Sequence, residues 1–231
     1  MKSEIITTIP RIESKFQTNS FGLMSFKNNL KDFGFVKSFN KRIINSLYFD
    51  DEKFSCISDN LSGITPRSKF RLRWYSDFQN SNYGLRYEQK IKKGILGIKK
   101  ILNLNQFSNE ISREFSIRNI RNFTNISDSS LLSFRLIPQL FCNYVRSYYE
   151  NKDGIRLTID QQIKFRNVKK NDKLFFKKSN YLSSNSVIFE LKFSESQKYL
   201  VLPLIRNMPS PSIRCSKYLL AQSKLRSFSY I

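Results

Sequence analysis

The sequence predicts an α+β fold in which a closed antiparallel β tunnel has a charged interior and flanking helices. Two observations lead to this prediction. Five segments alternate charged and apolar residues, as strands do when their two faces meet different surroundings. Other segments carry the apolar spacing of amphipathic helices. Strand faces crowded with Arg and Lys repel one another unless an anion or water lies between them. The charged faces are therefore expected to line a tunnel, and the apolar faces to be covered by helices.

The predicted strands cover residues 11–16, 67–74, 86–92, 155–160 and 189–193. The second of these shows the pattern most clearly. Four of its residues, at alternate positions, are cations, whereas Phe70, Leu72 and Trp74 point to the opposite face. Trp74, like Tyr148 and Tyr149 further along the chain, is interpreted as a core or rim aromatic rather than as a nucleotide-stacking platform.

Helices are predicted over residues 20–33, 106–123, 129–136, 195–206 and 216–228. In the last of these, Tyr218, Leu219, Ala221 and Leu225 have the spacing of a core-facing stripe. No Pro/Gly/Ser-rich linker or tandem repeat divides the sequence. We therefore expect a single domain over residues 1–231.

The composition excludes several kinds of chemistry. The 231 residues include 40 Lys plus Arg and 18 Asp plus Glu, a net charge of +22, but no histidine. The lack of histidine excludes Ser-His-Asp and Cys-His catalysis and His-ligated zinc. Cys56, Cys142 and Cys215 lack metal-site spacing and cannot form a complete disulfide set, which favours a reducing compartment. With no membrane-length apolar run and no secretory signal, a cytoplasmic location with no transmembrane segment is expected.

An acid and a lysine recur in the same order in three predicted strands, as Glu13-x-Lys15, Glu88-x-Lys90 and Glu190-x-Lys192. An ordinary sheet with one wet face would have interchangeable charges there and no reason to repeat this order. Glutamates among many cations indicate instead a divalent metal held beside a bound polyphosphate. Phosphoryl transfer needs positioning and charge neutralisation rather than histidine.

The strand motifs, taken in order, resemble one protein family. They are Glu-x-Lys-Phe at 13–16, Ser-Leu-Tyr-Phe-Asp at 46–50, Lys-Phe-Arg-Leu-Arg-Trp-Tyr at 69–75, Glu-x-Lys at 88–90, Tyr-Val-Arg at 144–146, Arg-Leu-Thr-Ile-Asp at 156–160, Phe-Glu-Leu-Lys-Phe at 189–193 and Ser-Lys-Tyr at 216–218. This set resembles the VTC domain, the polyphosphate polymerase catalytic domain of the triphosphate tunnel metalloenzyme superfamily. The resemblance implies about eight antiparallel strands and transfer of the ATP γ-phosphate to polyphosphate, with Mn²⁺ or Mg²⁺ as cofactor.

The resemblance also implies a set of site residues. The positions that match phosphate-contacting, catalytic cations are Lys15, Arg71, Arg73, Lys90, Arg146, Arg156, Lys192 and Lys217. The metal position is Glu190, with Glu13 and Glu88 as helpers. One more tunnel lysine is expected, either Lys99 or Lys100. Asp160 is left open between catalysis and a structural pair with Arg156 or Arg166. The phosphate-sensing domain and membrane helices of the eukaryotic complex have no counterpart, which predicts a lone bacterial-type catalytic domain and leaves a separate membrane partner open.

Two alternatives remain beside the polymerase. Water could attack in the same tunnel, which would make the protein a tripolyphosphatase or nucleoside triphosphatase. The first strand carries Arg11 where the hydrolytic branch has the first glutamate of Glu-x-Glu-x-Lys, which favours the polymerase. A basic module could also bind polyphosphate or nucleic acid through charge alone, but nucleic acid is not the expected partner, because the aromatic-interleaved motif of an RNA-binding sheet is missing.

Overall fold

A ten-stranded antiparallel sheet dominates the computed structural model, which describes residues 5–75, 84–107, 117–124, 131–133, 135–168 and 181–226. Its strands are β1 (Ile5–Thr7), β2 (Ile12–Thr18), β3 (Val36–Asp50), β4 (Arg67–Tyr75), β5 (Arg86–Lys93), β6 (Leu96–Asn103), β7 (Ile137–Glu150), β8 (Arg156–Asn167), β9 (Leu182–Ser184) and β10 (Val187–Phe193). Their order is β1-β6-β5-β4-β3-β7-β8-β10-β2, and β9 pairs with β8. The predicted antiparallel sheet is confirmed. The count of eight is wrong, because β1 and β9 have only three residues each, too few to show a two-residue period.

The two edges of this strand order are joined by the start of the chain. β1 pairs with β6 and β2 pairs with β10, although few residues separate β1 from β2. Between them, Thr8 N donates to Lys99 O at 2.9 Å and Gly97 N donates to Arg11 O at 3.3 Å. Arg11 and Gly97 form an isolated antiparallel bridge. Residues 5–18, from β1 to β2, thus contact both β6 and β10.

Five α-helices accompany the sheet in the described part of the chain: α1 (Ser20–Asn29), α2 (Ser55–Leu61), α3 (Ile117–Thr124), α4 (Lys198–Arg206) and α5 (Lys217–Arg226). Predicted helices 20–33, 195–206 and 216–228 are confirmed as α1, α4 and α5, with α1 and α4 shorter than predicted and residues 227–228 outside the described residues. The helix predicted over residues 106–123 corresponds to two separate elements, a 3-10 turn at Asn105–Phe107 and helix α3. Residues 108–116 between them lie outside the described residues.

Two helix predictions need correction. The described residues within 129–136 form a turn, in which Leu136 N donates to Ser133 O, rather than a helix. Pro138 follows in β7, and a residue before proline favours extended backbone, so the chain enters the strand at once. Helix α2 was not predicted. The Asp50 carboxylate accepts a hydrogen bond from Cys56 N at 2.9 Å, which satisfies one of the free N–H groups of its first turn.

Three apolar clusters fix the sheet. Ile120 of α3 packs with Trp74 and Leu47 on the outer face. Helices α1 and α4 cover the outer faces of β2, β8 and β10, where Phe26 meets Phe189 edge-on with ring centroids 5.0 Å apart. Helix α5 differs, because Tyr218 stacks on Tyr48, with ring centroids 5.2 Å apart, in a third cluster that also contains Tyr144 of β7. This packing brings the start of α5 beside the charged face.

Candidate functional site

The predicted site cations and glutamates of β2, β4, β5, β7, β8 and β10 lie on one face of the sheet, and the register places them beside one another. Glu190 of β10 lies opposite Lys15 of β2 on one side and Thr158 of β8 on the other. One pair further along, Lys192 lies opposite Glu13 and Arg156. The two-residue period of each strand therefore extends across its neighbours as rows of charge.

Glu190 is the carboxylate that this face leaves most available. Its side chain is buried, and its nearest cationic nitrogens are Arg146 Nη2 at 3.6 Å, Lys192 Nζ at 3.8 Å and Lys15 Nζ at 4.0 Å. These distances exceed that of a hydrogen bond. Burial alone would raise the pKa of Glu190, but Lys192, Lys15 and Arg146 hold this pKa well below its ordinary value. Glu190 is therefore an ionised carboxylate with oxygen atoms free to accept a ligand.

Glu88 has a different environment, because several cations already occupy its oxygens. Arg71 contacts Oε2 through Nη2 at 2.5 Å and Nε at 2.7 Å, and Lys99 Nζ lies 3.5 Å from Oε1. Arg86 and Arg73 lie at 3.7 and 3.9 Å. Burial would raise the pKa of Glu88, but these charges hold it well below the ordinary value. Glu88, itself buried, thus neutralises a group of buried and partly buried cations, of which Arg86 was not predicted.

Asp160 orients two of the predicted cations. Arg146 donates to both carboxylate oxygens, at 2.6 and 2.7 Å, and Lys217 Nζ at the start of α5 lies 2.5 Å from Oδ2. Asp160 is fully buried, yet these two partners outweigh the effect of burial and lower its pKa to about 2. The structural pairing is therefore with Arg146 and Lys217, and not with Arg156 or Arg166 as considered from the sequence.

The predicted cations divide into an inner group, which lies around Glu190, Glu88, Asp160 and Glu13, and an outer position at the rim. Arg73 is buried and donates to the Tyr144 hydroxyl at 2.9 Å, and Lys90 forms an ion pair with Glu13 across from β5 to β2. Arg156 lies outside this group. Its side chain is 50% exposed and pairs with Glu150, Nε to Oε1 3.4 Å, at the end of β7. The structure therefore places Arg156 at the rim.

Two lysines on this face, Lys99 and Lys69, have a lowered pKa. Of the two candidates for the extra lysine, Lys99 places its amino group beside Glu88, whereas Lys100 pairs with Gln89 in the next register position. Burial is the main cause that lowers the pKa of Lys99 to about 7. Lys69, which was not singled out from the sequence, donates to Ser216 Oγ at 2.9 Å. Burial, with Lys15 and Lys90 nearby, lowers the pKa of Lys69 to about 7 as well.

The donor set around Glu190 fits a hard divalent cation. Thr158, directly opposite Glu190, is 6% exposed, and its Oγ1 has no hydrogen-bond partner among the described residues. Within the same described ranges, no three Cys, Asp or Glu side chains form a metal-binding group, so Glu190, Glu13 and Glu88 do not surround one point. Mg²⁺ is commonly held by one or two carboxylates together with substrate phosphates and water, which needs no such trio.

The sequence and the fold were compared with known proteins. The family model described as the VTC domain matches residues 10–226. The chain belongs to the VTC domain family. No curated protein matches the sequence of this VTC domain. No helix in the described part of the chain is long and apolar enough to cross a membrane.

Solved structures share the fold of this VTC domain at low identity. HpAC1 from Hippeastrum, a candidate adenylyl cyclase described with a dominant triphosphatase activity, is 13% identical with a TM-score of 0.50, and the match covers 93% of this chain and 95% of that chain. A candidate adenylate cyclase from Bacillus halodurans is 11% identical with a TM-score of 0.51, and the match covers 91% of this chain and 95% of that chain. A protein from Pyrococcus horikoshii is 12% identical with a TM-score of 0.50, and the match covers 94% of this chain and 98% of that chain. At these identities the likeness shows the fold alone.

Proposed function

We propose that this VTC domain is a metal-dependent phosphotransferase that moves the γ-phosphate of ATP onto a polyphosphate chain. One observation carries the proposal: cations from several strands converge around a buried, ionised carboxylate, Glu190, whose oxygens accept no hydrogen bond from the described residues. Cations alone would bind any polyanion. A free carboxylate among them would weaken phosphate binding unless a metal ion lay between the carboxylate and the phosphate.

The proposal includes closure of the sheet around its charged face as a tunnel. The Arg11–Gly97 bridge joins the residue before β2 to β6, and the Lys90–Glu13 ion pair joins β5 to β2. Both support closure, because β6 and β5 lie near the other edge of the strand order. In a tunnel, phosphate oxygens would meet cations on all sides.

Each inner cation has a role that its contacts suggest. Arg71, Arg73 and Arg146 would bind phosphate oxygens, since a guanidinium group matches two oxygens at once. The lysines of the inner group would neutralise the remaining charge: Lys15, Lys90, Lys192 and Lys217. Arg156 at the rim would meet the phosphate chain where it enters. Glu88 and Asp160 would hold the cations apart when no ligand is present.

Glu190, assisted by the Thr158 hydroxyl, would hold Mn²⁺ or Mg²⁺. When bound, the cation would supply charge neutralisation at the transferred phosphoryl group. The end of a polyphosphate chain, or inorganic phosphate at the start, would attack the γ-phosphorus as the bond to the ADP oxygen breaks. No side chain is needed as nucleophile. The cations around the site would stabilise the negative charge that spreads over the transferred group.

Hydrolysis is the second candidate function. HpAC1, which shares the fold, is described with a dominant triphosphatase activity. The same cations would bind a triphosphate, and water would replace polyphosphate as the attacking group. Whether water or an anion reaches the γ-phosphorus separates the two functions.

Phosphorus NMR of the purified protein with ATP and Mn²⁺ or Mg²⁺ tests the proposal. Internal polyphosphate signals together with ADP are expected. Orthophosphate and ADP without internal polyphosphate signals would establish the hydrolase, and unchanged ATP with tight binding would leave a binding module.

Glu190→Gln tests the metal position with a near-isosteric change. Turnover should fall by orders of magnitude, whereas tripolyphosphate binding without metal should be equal or tighter, because a negative charge among the ligands of an anion is removed. Calorimetry with and without Mn²⁺ gives the second readout. Normal metal-dependent turnover in this variant would contradict the assignment and make Glu190 a counter-charge for Lys192.

A further inference from the structure

A group of aromatic rings and arginines lies at one end of the charged face, and the proposed phosphate chemistry does not use it. We call it the mouth cluster: Phe39, Arg42, Tyr75, Arg86 and Tyr148. The Arg42 guanidinium carbon lies 5.3 Å from the ring centroid of Phe39, 5.6 Å from that of Tyr75 and 5.8 Å from that of Tyr148. Arg86 lies 4.8 Å from the Tyr75 ring and donates to its hydroxyl. Three strands thus place rings around one cation.

The mouth cluster continues the phosphate-binding face. Tyr75 follows Arg73 by two residues on β4, and Tyr148 follows Arg146 by two residues on β7, so each ring lies on the same face as the arginine. At about 3.3 Å per residue, each ring is displaced by about 7 Å along its strand from that arginine. Arg42 is the cross-strand partner of Arg146. A group attached to a triphosphate bound by these arginines would therefore reach the mouth cluster.

The cluster is more exposed than a purely structural one needs to be. Phe39 leaves 57% of its surface exposed although its ring meets Tyr148 edge-on, with centroids 5.8 Å apart. Arg42 is also exposed, and within the described residues no carboxylate forms an ion pair with it. An exposed guanidinium group offers a planar cation on which an aromatic ring can stack. The exposed ring and the exposed guanidinium are the two surfaces on which a heterocyclic base stacks.

We propose that the mouth cluster binds the base of a nucleoside triphosphate, which stacks on Phe39 and the Arg42 guanidinium. The cluster then selects nucleoside triphosphates over inorganic triphosphate, and it tolerates different bases, because stacking uses the π-face that every base has. This inference rests on the proposed function, which supplies the triphosphate site next to it. Tyr75, Tyr148 and Arg86 position the two stacking groups.

Phe39→Ala tests the inference without a change in charge. Calorimetry should measure the affinity of ATP, GTP and inorganic tripolyphosphate at one metal and salt concentration. The variant should bind ATP and GTP about tenfold more weakly, on the scale of one base–aromatic contact, and tripolyphosphate as the wild type does. Phe21→Ala is the matched control, because Phe21 is an 81% exposed phenylalanine of α1. It should leave all three affinities unchanged.

Arg42→Lys is the second variant, because it keeps the charge but removes the planar group. It should also weaken ATP binding while tripolyphosphate binding is retained. If Phe39→Ala and Arg42→Lys bind ATP as the wild type does, or lose ATP and tripolyphosphate equally, the inference is wrong while the proposed function stands. If the wild-type protein binds neither ligand, the proposed function fails and the inference fails with it.

Discussion

Glu88→Gln should destabilise the folded protein strongly, and the loss should shrink when a polyanion is bound. The Glu88 side chain is 1% exposed and lies within 3.9 Å of nitrogen atoms from four cations: Arg71, Arg73, Arg86 and Lys99. Glutamine keeps the shape of the side chain but removes the negative charge. The buried and partly buried cations are then left without the carboxylate that neutralises them.

The size of the effect follows from burial. Removing one partner of a buried ion pair typically costs about 3–5 kcal/mol of the free energy of unfolding, whereas a whole domain is stable by about 5–15 kcal/mol. A surface pair contributes at most about 1 kcal/mol. Glu150→Gln is the matched control, since Glu150 pairs with Arg156 where the two side chains are 32% and 50% exposed.

Urea unfolding of the wild type and both variants, with and without tripolyphosphate, measures the effect. Tripolyphosphate bound to the folded state stabilises it by mass action, by about 2.7 kcal/mol at one hundred times its Kd. In Glu88→Gln the phosphate oxygens should also replace the missing charge, so the gap to the wild type should narrow. If Glu88→Gln unfolds like Glu150→Gln without ligand, Glu88 is not the required counter-charge and the reasoning fails.

Three further predictions follow from the same site. Arg73→Ala should weaken tripolyphosphate binding, measured by calorimetry, by about 1.5–3 kcal/mol, the scale of a hydrogen bond to a charged group. Arg156→Ala should cost less, because Arg156 lies at the rim; an equal loss would contradict the division into inner and outer cations. Thr158→Val should leave the stability without ligand equal or higher, because it removes a buried hydroxyl with no hydrogen-bond partner among the described residues. In the presence of tripolyphosphate, the additional rise in melting temperature that Mn²⁺ gives should be smaller in this variant. An unchanged rise would show that the hydroxyl does not assist Glu190. The free energy of unfolding should rise between pH 7 and 10, because the pKa of Lys69 is about 7 in the folded state against an ordinary 10.5, and the unfolded state therefore binds more protons in this range. In urea titrations, Lys69→Gln should flatten this rise. An identical pH profile in the variant would refute the lowered pKa.

The sequence was sufficient for the faces of the strands. A two-residue period is local, so the alternation in residues 67–74 and 189–193 determined which side chains share a face before any partner strand was known. The same reasoning placed Trp74 on the apolar face, as a core or rim aromatic, and the structure places it in the core with 1% of its surface exposed. Helices α1, α4 and α5 were predicted from residues adjacent in the sequence, and the short α2 was not.

The repeated Glu-x-Lys pattern could not separate its three glutamates. By the pattern alone Glu13, Glu88 and Glu190 look equivalent, and only the family resemblance singled out Glu190. The structure distinguishes them, because Arg71 binds Glu88 directly at 2.5 Å while the cations nearest to Glu190 stop at 3.6 Å. Such differences depend on which strands become neighbours and how their registers align, and a single strand carries no record of either.

Long-range register also decided the position of the outer residues. Arg156 belongs to a strand with inner residues, yet its place at the beginning of β8, beside Glu150, leaves it half exposed. Phe39 and Arg42 lie on a part of β3 where the pairing with β7 is interrupted by register shifts, so no period predicts that they meet Tyr148. The sequence by itself determined the composition and the faces of the five predicted strands, since these depend on adjacent residues. Only the tertiary structure decided which carboxylate stays free and which rings surround Arg42, since these depend on contacts between strands far apart in the chain.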